Sequence, residues 1–394
     1  MLRTAIIGGG AAGFFLAINL KEMFPGMDVT IMEGSQHVLA KVKISGGGRC
    51  NCTNSFEHVR DLSTVYPRGH RLLKRLFKQF GPADAYVWFE RHGVRLVTQD
   101  DGCVFPASQD SQTIINCFLR EASRHQIHIC TGARVSSLRD LEGYDFISVC
   151  TGGSPRAEGL RWLAEVGHEV VAPVPSLFTL SVADTSLREL MGTVVESVSV
   201  MLPGTKMRAE GPLLITHWGV SGPAILRLSS YAARHLNEHA YAVPLSINWS
   251  GHTAAEAQET LRDTRTSHAQ KQLSSQRPFN LPSRLWEHLL TKTLSQSAQD
   301  RWGNLGQKDL NRLANTLTND TYQTAGRAAF RDEFVTCGGI ALSDVVPATL
   351  ESRHVPRLYF AGEVLDIDGV TGGCNFQAAW TTAYTVASAI AGMN

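Results

Sequence analysis

The stretch "RTAIIGGGAAGFFLAINL", Arg3 to Leu20, constrains the fold of this chain more than any other. Its short apolar run from Thr4 to Ile7 predicts a buried strand, three glycines end that strand, and the apolar residues from about Ala11 to Met23 predict a helix. "DVTIMEG" then predicts a second strand ending at Glu33. Gly8, Gly10 and Gly13 stand in GxGxxG spacing, and Glu33 follows Gly13 by 20 residues. That spacing has a physical cause. Glycines let the backbone N–H groups at the start of the helix, around Ala11 and Ala12, approach a pyrophosphate, and the acid accepts hydrogen bonds from a ribose diol. For the glycines alone, the alternative is a tight strand-to-helix turn that binds nothing.

Two later stretches repeat the strand-then-glycine pattern. "YDFISVCTGGSP" predicts a strand from about Phe146 to Val149, followed by Thr151, Gly152 and Gly153. "PRLYFAGEVLDIDGVTGGCNFQAAW" predicts a strand from Leu358 to Ala361, then Gly362 and Glu363, a loop with Gly372 and Gly373, and a helix beginning near Asn375. Both ends of the chain therefore belong to one nucleotide-binding sheet. Between them, residues 193–250 alternate with β-branched residues and turns, and residues 251–334 become polar and helix-like. The expected organisation is a discontinuous nucleotide-binding domain over 1–190 and 337–394, an inserted β subdomain over 191–250, and an inserted helical subdomain over 251–336. No internal repeat is evident.

The bulk numbers set limits. The chain has 394 residues, 43% hydrophobic and 19% charged, with a formal net charge of +1. That balance argues against adhesion to nucleic acid or membrane by overall charge and leaves only local patches. Eight cysteines show neither a secreted disulfide framework nor zinc-ligand spacing, so a reducing compartment is expected. Glycines interrupt the apolar N-terminal run as no signal peptide would, and a cytoplasmic location without membrane attachment is the expectation.

Three other stretches carry candidate chemistry. "KISGGGRCNCTN", Lys43 to Asn54, can be a phosphate or flavin cradle, a metal site or a nucleophile. Cys50-x-Cys52 lacks a second ligand pair, so no metal is expected. The cysteines have either a redox or acid role or a packing role. His217 in "THWGVSGPAIL" is either a proton donor or a hydrogen-bonded histidine that fixes the inserted sheet. "RLLKRLFKQF" places Leu72, Leu73, Leu76, Phe77 and Phe80 on one helical face and Arg71, Lys74, Arg75 and Lys78 on the other. That basic stripe is either a solvated face or a grip on the phosphates of RNA or NADPH.

The first glycine motif does not separate FAD from NAD. The late strand with Gly362 and Glu363 does, because an extended flavin dinucleotide needs a second anchor. Taken together, Gly8 to Gly13 with Glu33, "KVKISGGGRCNCTN", "THWGVSGPAIL", "TCGGIALSDV" and "AGEVLDIDGVTGGCNFQAAW" resemble the YhiN-like, or BaiN-type, NAD(P)/FAD-dependent oxidoreductases. The resemblance spans essentially the whole chain. It implies an α/β, Rossmann-like FAD-binding fold of the two-dinucleotide-binding-domain flavoprotein type, with an inserted β-barrel-like subdomain and a helical one. It implies non-covalent FAD held by Gly8, Gly10, Ala11, Ala12, Gly13, Glu33, Lys43, Ser45, Gly46, Gly47, Arg49, Asn51, Thr151, Gly152, Gly153, Gly362, Glu363, Gly372, Gly373, Asn375 and Phe376. Arg49, Cys50 and His217 are then the candidates for catalysis.

With no second GxGxxG after a strand, NAD(P)H is expected to bind transiently as electron donor. The resemblance also implies reduction of an activated C=C bond, in a steroid-like enone or in a uracil ring of ribosomal RNA. An oxygen-using oxidase or hydroxylase, and a non-catalytic flavin-bearing RNA-binding or redox-sensing protein, are the alternatives. Cys337, where alanine is common in the family, Cys374, where tyrosine is common, and Phe376, which stands at a leucine or phenylalanine position, bear on flavin potential and pocket shape.

Overall fold

A computed structural model describes residues 1–294, 298–327 and 335–393. The chain forms two compact units, Met1–Pro175 with Val335–Asn394, and Ser176–Phe334.

The first unit is built on a parallel sheet. Among the described residues it contains β1 (Arg3–Ile7), β2 (Asp28–Glu33), β3 (His128–Thr131), β4 (Phe146–Val149) and β5 (Leu358–Phe360), in the spatial order β5-β4-β1-β2-β3. β1 pairs with β2 on one side (Arg3 opposite Asp28, Ile7 opposite Met32) and with β4 on the other (Ile7 opposite Val149). The strand order therefore reverses at β1, and in such sheets ligands bind in the crevice beyond the carboxyl ends at the reversal. β5 pairs with β4 in parallel, which returns the C-terminal segment to the sheet that the N-terminus begins.

Helix α1 (Ala11–Met23) is buried without interruption from Ala12 to Leu20. A helix apolar on all sides must be covered on all sides. The cover comes from β1 and β2 of the sheet, from α4 (Gln112–Arg124) and α5 (Cys374–Ala391), and from Trp88 on α3 (Pro82–Arg91) and Phe80, which follows α2 (His70–Leu76). The ring of Phe15 on α1 lies 4.5 Å from Trp88 on α3, 5.1 Å from Trp380 on α5 and 5.4 Å from Phe80, which follows α2. The basic stripe has the expected amphipathic register. Leu73, Leu76 and Phe80 are buried, Leu72 and Phe77 half-buried, and Arg71, Lys74, Arg75 and Lys78 exposed, although the regular helix stops at Leu76.

The second unit holds a closed barrel of six strands among the described residues. Its cyclic order is Val194–Met201, Arg208–Ile215, Gly219–Ser221, Leu180–Val182, Asp320–Arg327 and Pro244–Asn248. The expected division at 190/191 and 250/251 therefore differs from the observed one. The unit begins at Ser176 because the three-residue strand Leu180–Val182 is needed to close the barrel. The helices Ala254–Ser267, Ser283–Thr293 and Gln307–Thr318 do not follow the barrel but form an excursion inside it, since its last strand begins at Asp320. Residues 295–297 and 328–334 of the expected helical stretch lie outside the described residues.

Buried Asp320 ties this excursion to the barrel. Its carboxylate accepts hydrogen bonds from Trp249 Nε1 (2.9 Å) and Tyr322 Oη (2.6 Å) and pairs with Lys292 Nζ (2.6 Å) from the second of those helices.

Candidate dinucleotide-binding site

The glycine turn after β1 admits no side chain at its two close approaches. Gly8 has φ +110°, and a Cβ there would overlap the Cys150 carbonyl; a Cβ on Gly13 would overlap the carbonyl oxygen of Gly8. At Gly10, by contrast, nothing lies within 4 Å of where a Cβ would stand. Gly10 caps α1 with extended backbone, no side chain caps that end of the helix, and its first turn holds no acid. The N–H groups around Ala11 and Ala12 thus present a partial positive charge to open space, the arrangement an anion takes up.

Glu33 closes the other side of the turn. Its Oε2 accepts from the Gly9 N–H and its Oε1 from the Ser35 N–H, both at 2.8 Å. Each carboxylate oxygen keeps a further lone pair for a hydroxyl donor. A cleft of about 980 Å³ opens at these carboxyl ends, with Gly8, Glu33, Arg134, Gly152, Gly153 and Trp162 among its lining residues. Thr151 is exposed at the rim.

The C-terminal loop meets the turn. A Cβ on Gly362 would stand 2.9 Å from the Cβ of Ala12, and the Gly362 N–H donates to Thr382 Oγ1 (2.9 Å) on α5. Glu363 accepts from the Thr336 N–H through Oε1 (2.7 Å) and pairs with Lys41 Nζ through Oε2 (3.1 Å). A Cβ on Gly153 would stand only 2.5 Å from Glu363 Oε1, so β4 and β5 end at one spot. Lys41 was not singled out in the sequence, where only Lys43 was; Lys43 is exposed, and its carbonyl accepts from Ser111 Oγ (2.8 Å).

The "SGGGRCNCTN" segment packs against the second glycine loop. Gly46, Gly47 and Gly48 have φ of +57°, +67° and +86°, and Cys50 follows at +60°. Consecutive left-handed residues are backbone that glycine adopts without a steric penalty, which accounts for the glycine run. Ser45 shapes the bend, donating through Oγ to the Val42 carbonyl (2.8 Å) and accepting the Cys50 N–H at its own carbonyl (3.0 Å). Asn54 Nδ2 donates to the Gly372 carbonyl (2.9 Å), Thr53 Oγ1 to Gln377 Oε1 (2.6 Å), and Trp380 Nε1 to the Cys52 carbonyl (2.7 Å). A side chain on Gly373 would overlap the Thr53 carbonyl. Asn375 holds its loop by accepting from the Gly369 N–H (2.8 Å) and donating to the Gly369 carbonyl (2.9 Å). Phe376 stacks on Trp380. Asn51 Oδ1 is buried with no hydrogen-bond partner among the described residues, which marks a place where a ligand donor is wanted.

The three catalytic candidates fare differently. Arg49 is exposed, its guanidinium 4.3 Å above the Phe105 ring and its Nε donating to the Gly46 carbonyl (3.2 Å). Cys50 is fully buried, and burial pushes its thiol up to about 12, which favours the packing alternative for this cysteine. Such a thiol is neither a thiolate nor accessible to substrate at neutral pH. Cys52 is likewise fully buried, its thiol held well above the ordinary range by burial. His217 lies in the second unit, exposed at the turn between Arg208–Ile215 and Gly219–Ser221, its ring centroid 3.4 Å from that of Trp218 with the planes tilted by 43°. It makes no side-chain hydrogen bond among the described residues.

A crevice at the strand reversal, bordered by glycines from both ends of the chain, agrees with the family whose model matches. The chain belongs to the HI0933-like Rossmann-domain family. The match spans residues 2–389, as the sequence resemblance implied, and the family is one of FAD-dependent oxidoreductases. Two relatives align over nearly their whole length. The 3-dehydro-bile acid delta(4,6)-reductase of Clostridium scindens is 27% identical, with 99% of each chain covered. The ribosomal RNA dihydrouridine synthase of Escherichia coli is 29% identical, with 97% of this chain and 96% of that one covered. The 3-ketosteroid delta1-dehydrogenase of Sterolibacterium denitrificans has the same fold, at a TM-score of 0.51 with 9% identity and all of both chains covered. No described helix is long and apolar enough to cross a membrane.

Proposed function

We propose that this protein is an FAD-dependent reductase that moves a hydride from NAD(P)H to an activated C=C bond. The observation that carries this reading is the convergence of the Gly8–Gly13 turn, the Gly362–Glu363 loop and the cleft beside Glu33 on one end of a single sheet. The N-terminus of α1 would hold a pyrophosphate, Glu33 would accept from ribose hydroxyls, and the Glu363–Lys41 pair braces the loop that meets Ala12. Asn51 would offer the same ligand an unpartnered buried acceptor. The flavin, when bound, accepts the hydride and delivers it to the substrate. The C=C substrate class rests on the two relatives, one a reductase of a 3-dehydro-bile acid and one a synthase of dihydrouridine in ribosomal RNA.

Both substrates present a carbon–carbon double bond conjugated to a carbonyl, which a hydride attacks at the electron-poor end. The exposed row Arg71, Lys74 and Arg75 on α2, continued by Lys78 just beyond it, favours the RNA version, because clustered cations neutralise phosphates. The test has two parts. Purified protein should be yellow, release FAD on acid precipitation, bleach with NAD(P)H without oxygen, and regain colour on addition of substrate. Ribosomal RNA from a deletion strain should lack a two-hydrogen mass increment on one uridine. Release of FMN, or a colourless protein that ignores FAD, sinks the flavin assignment. Reoxidation by oxygen that outpaces both an enone and RNA sinks the reductase.

A further inference from the structure

We propose that His235, Glu238 and His239 form a binding site for a divalent ion of the zinc class, separate from the dinucleotide site and independent of its function. The three residues lie in "HLNEH" at the end of the short helix Ala233–Glu238, with His239 as its C-cap. Positions i, i+3 and i+4 share one helical face. Ala233 and Leu236 bury the opposite face, which leaves His235 half-buried and Glu238 and His239 exposed. One donor atom from each residue lies within 4.8 Å of the other two.

The histidines are already arranged as ligands. His239 Nδ1 lies 2.8 Å from the His235 carbonyl oxygen. A carbonyl only accepts, so Nδ1 carries the proton and Nε2 is left with a free lone pair. A ring N–H donated to a backbone carbonyl is the usual outer-shell support of a metal-binding histidine. The two rings are 4.3 Å apart and tilted by 41°. Donor atoms around a tetrahedral zinc stand about 3.3–3.5 Å apart, given Zn–N of about 2.0–2.1 Å. Rotation of the exposed Glu238 side chain, with shifts of the imidazoles small enough to keep the His239 Nδ1 hydrogen bond, makes up the difference. The carbonyl end of a helix also favours a cation. Two imidazoles and one carboxylate select Zn2+, Cu2+ or Ni2+ over Mg2+, and three protein ligands leave a fourth position for water. The cysteine spacing gave no metal site; this donor set is of another kind.

The test is calorimetric titration of the full-length flavin-loaded protein, carrying no added histidine tag, with ZnCl2 and with MgCl2. One Zn2+ should bind per chain, Mg2+ should give no such heat, and His235→Ala/His239→Ala should weaken Zn2+ by at least about tenfold. Equal Zn2+ affinity in the double variant, or no binding by the unaltered chain, overturns the site. A second measurement does not depend on the variant folding. One equivalent of Cu2+ on the unaltered protein should give an electron paramagnetic resonance spectrum with coupling to two imidazole nitrogens, and a spectrum without nitrogen coupling overturns the proposal.

Discussion

Glu33 holds two backbone N–H groups, those of Gly9 and Ser35, independently of any ligand. Its substitution therefore acts on the shape of the turn and, under the proposed function, on a ribose contact as well. Glu33→Ala should weaken FAD by about 1.5–3 kcal/mol, the usual worth of a charged hydrogen bond, which is roughly a 10- to 150-fold rise in Kd. Fluorescence titration of apoprotein measures it, with Glu33→Gln expected to lose less; unchanged affinity in Glu33→Ala removes the ribose role. At this scale the sequence was legible wherever the demand was local. Gly13 must be glycine because of Gly8, five residues away. Lys41, Thr53, Gln377 and Trp380 were missed because their partners are remote: Lys41 and Glu363 are 322 positions apart, and Trp380 and Cys52 are 328 apart. The choice between a reactive and a packing Cys50 stayed open for the same reason. Reactivity depends on burial, and a motif does not state burial.

Three helices end together around Glu22. His92, the C-cap of α3, places Nε2 2.9 Å from Glu22 Oε1 on α1 and stacks on Trp88, while His125, the C-cap of α4, brings Nε2 to 3.9 Å. The hydrogen bond from His92, with the nearby charges of His125 and Arg91, holds the Glu22 carboxyl below its ordinary 4.5. Burial acts to lower His92, but its bonds to Glu22 and to the Trp88 carbonyl outweigh burial, aided by the charges of Glu22 and Glu121, and raise it above 6.5. A depressed acid stabilises above its unfolded value and is lost as pH falls through its folded one. A raised imidazole stabilises below its unfolded value and is lost as pH rises through its folded one. The pair therefore contributes fully between about pH 4.5 and about pH 6.5. Glu22→Gln should lower the urea midpoint relative to the parent chain at pH 6, and the gap should shrink at pH 9; a gap constant with pH sinks this reading. Element existence was legible from periodicity, as α1 and α5 show. The early stop of α2 at Leu76 was not, because its apolar residues keep helical spacing to Phe80 while the chain turns away.

The whole molecule consists of a discontinuous unit and a contiguous one. The glycine motifs at both ends revealed the first. The extent of the second was hidden, because closing a barrel through Leu180–Val182 depends on pairings far along the chain. The inserted unit has its own buried core, including Val200, Leu213, Leu245, Ile247, Trp286 and Leu313. Residues 176–334 expressed alone should therefore unfold cooperatively and show dispersed amide resonances. Residues 1–175 alone should not, since they lack β5 and α5. A collapsed, non-cooperative insert would show that its core needs the rest of the chain.

The position of β5 also sets a timetable during synthesis. At roughly 5–20 residues per second, the ribosome needs on the order of 10–30 s to make the insertion. Throughout that interval β4, with Phe146, Ser148 and Val149 destined for full burial, stands as an open sheet edge beside an unmet α1. An apolar edge of this kind invites pairing with another nascent chain. Slow codons within the insertion would then lower the soluble yield, and a chaperone that shields β4 would restore it.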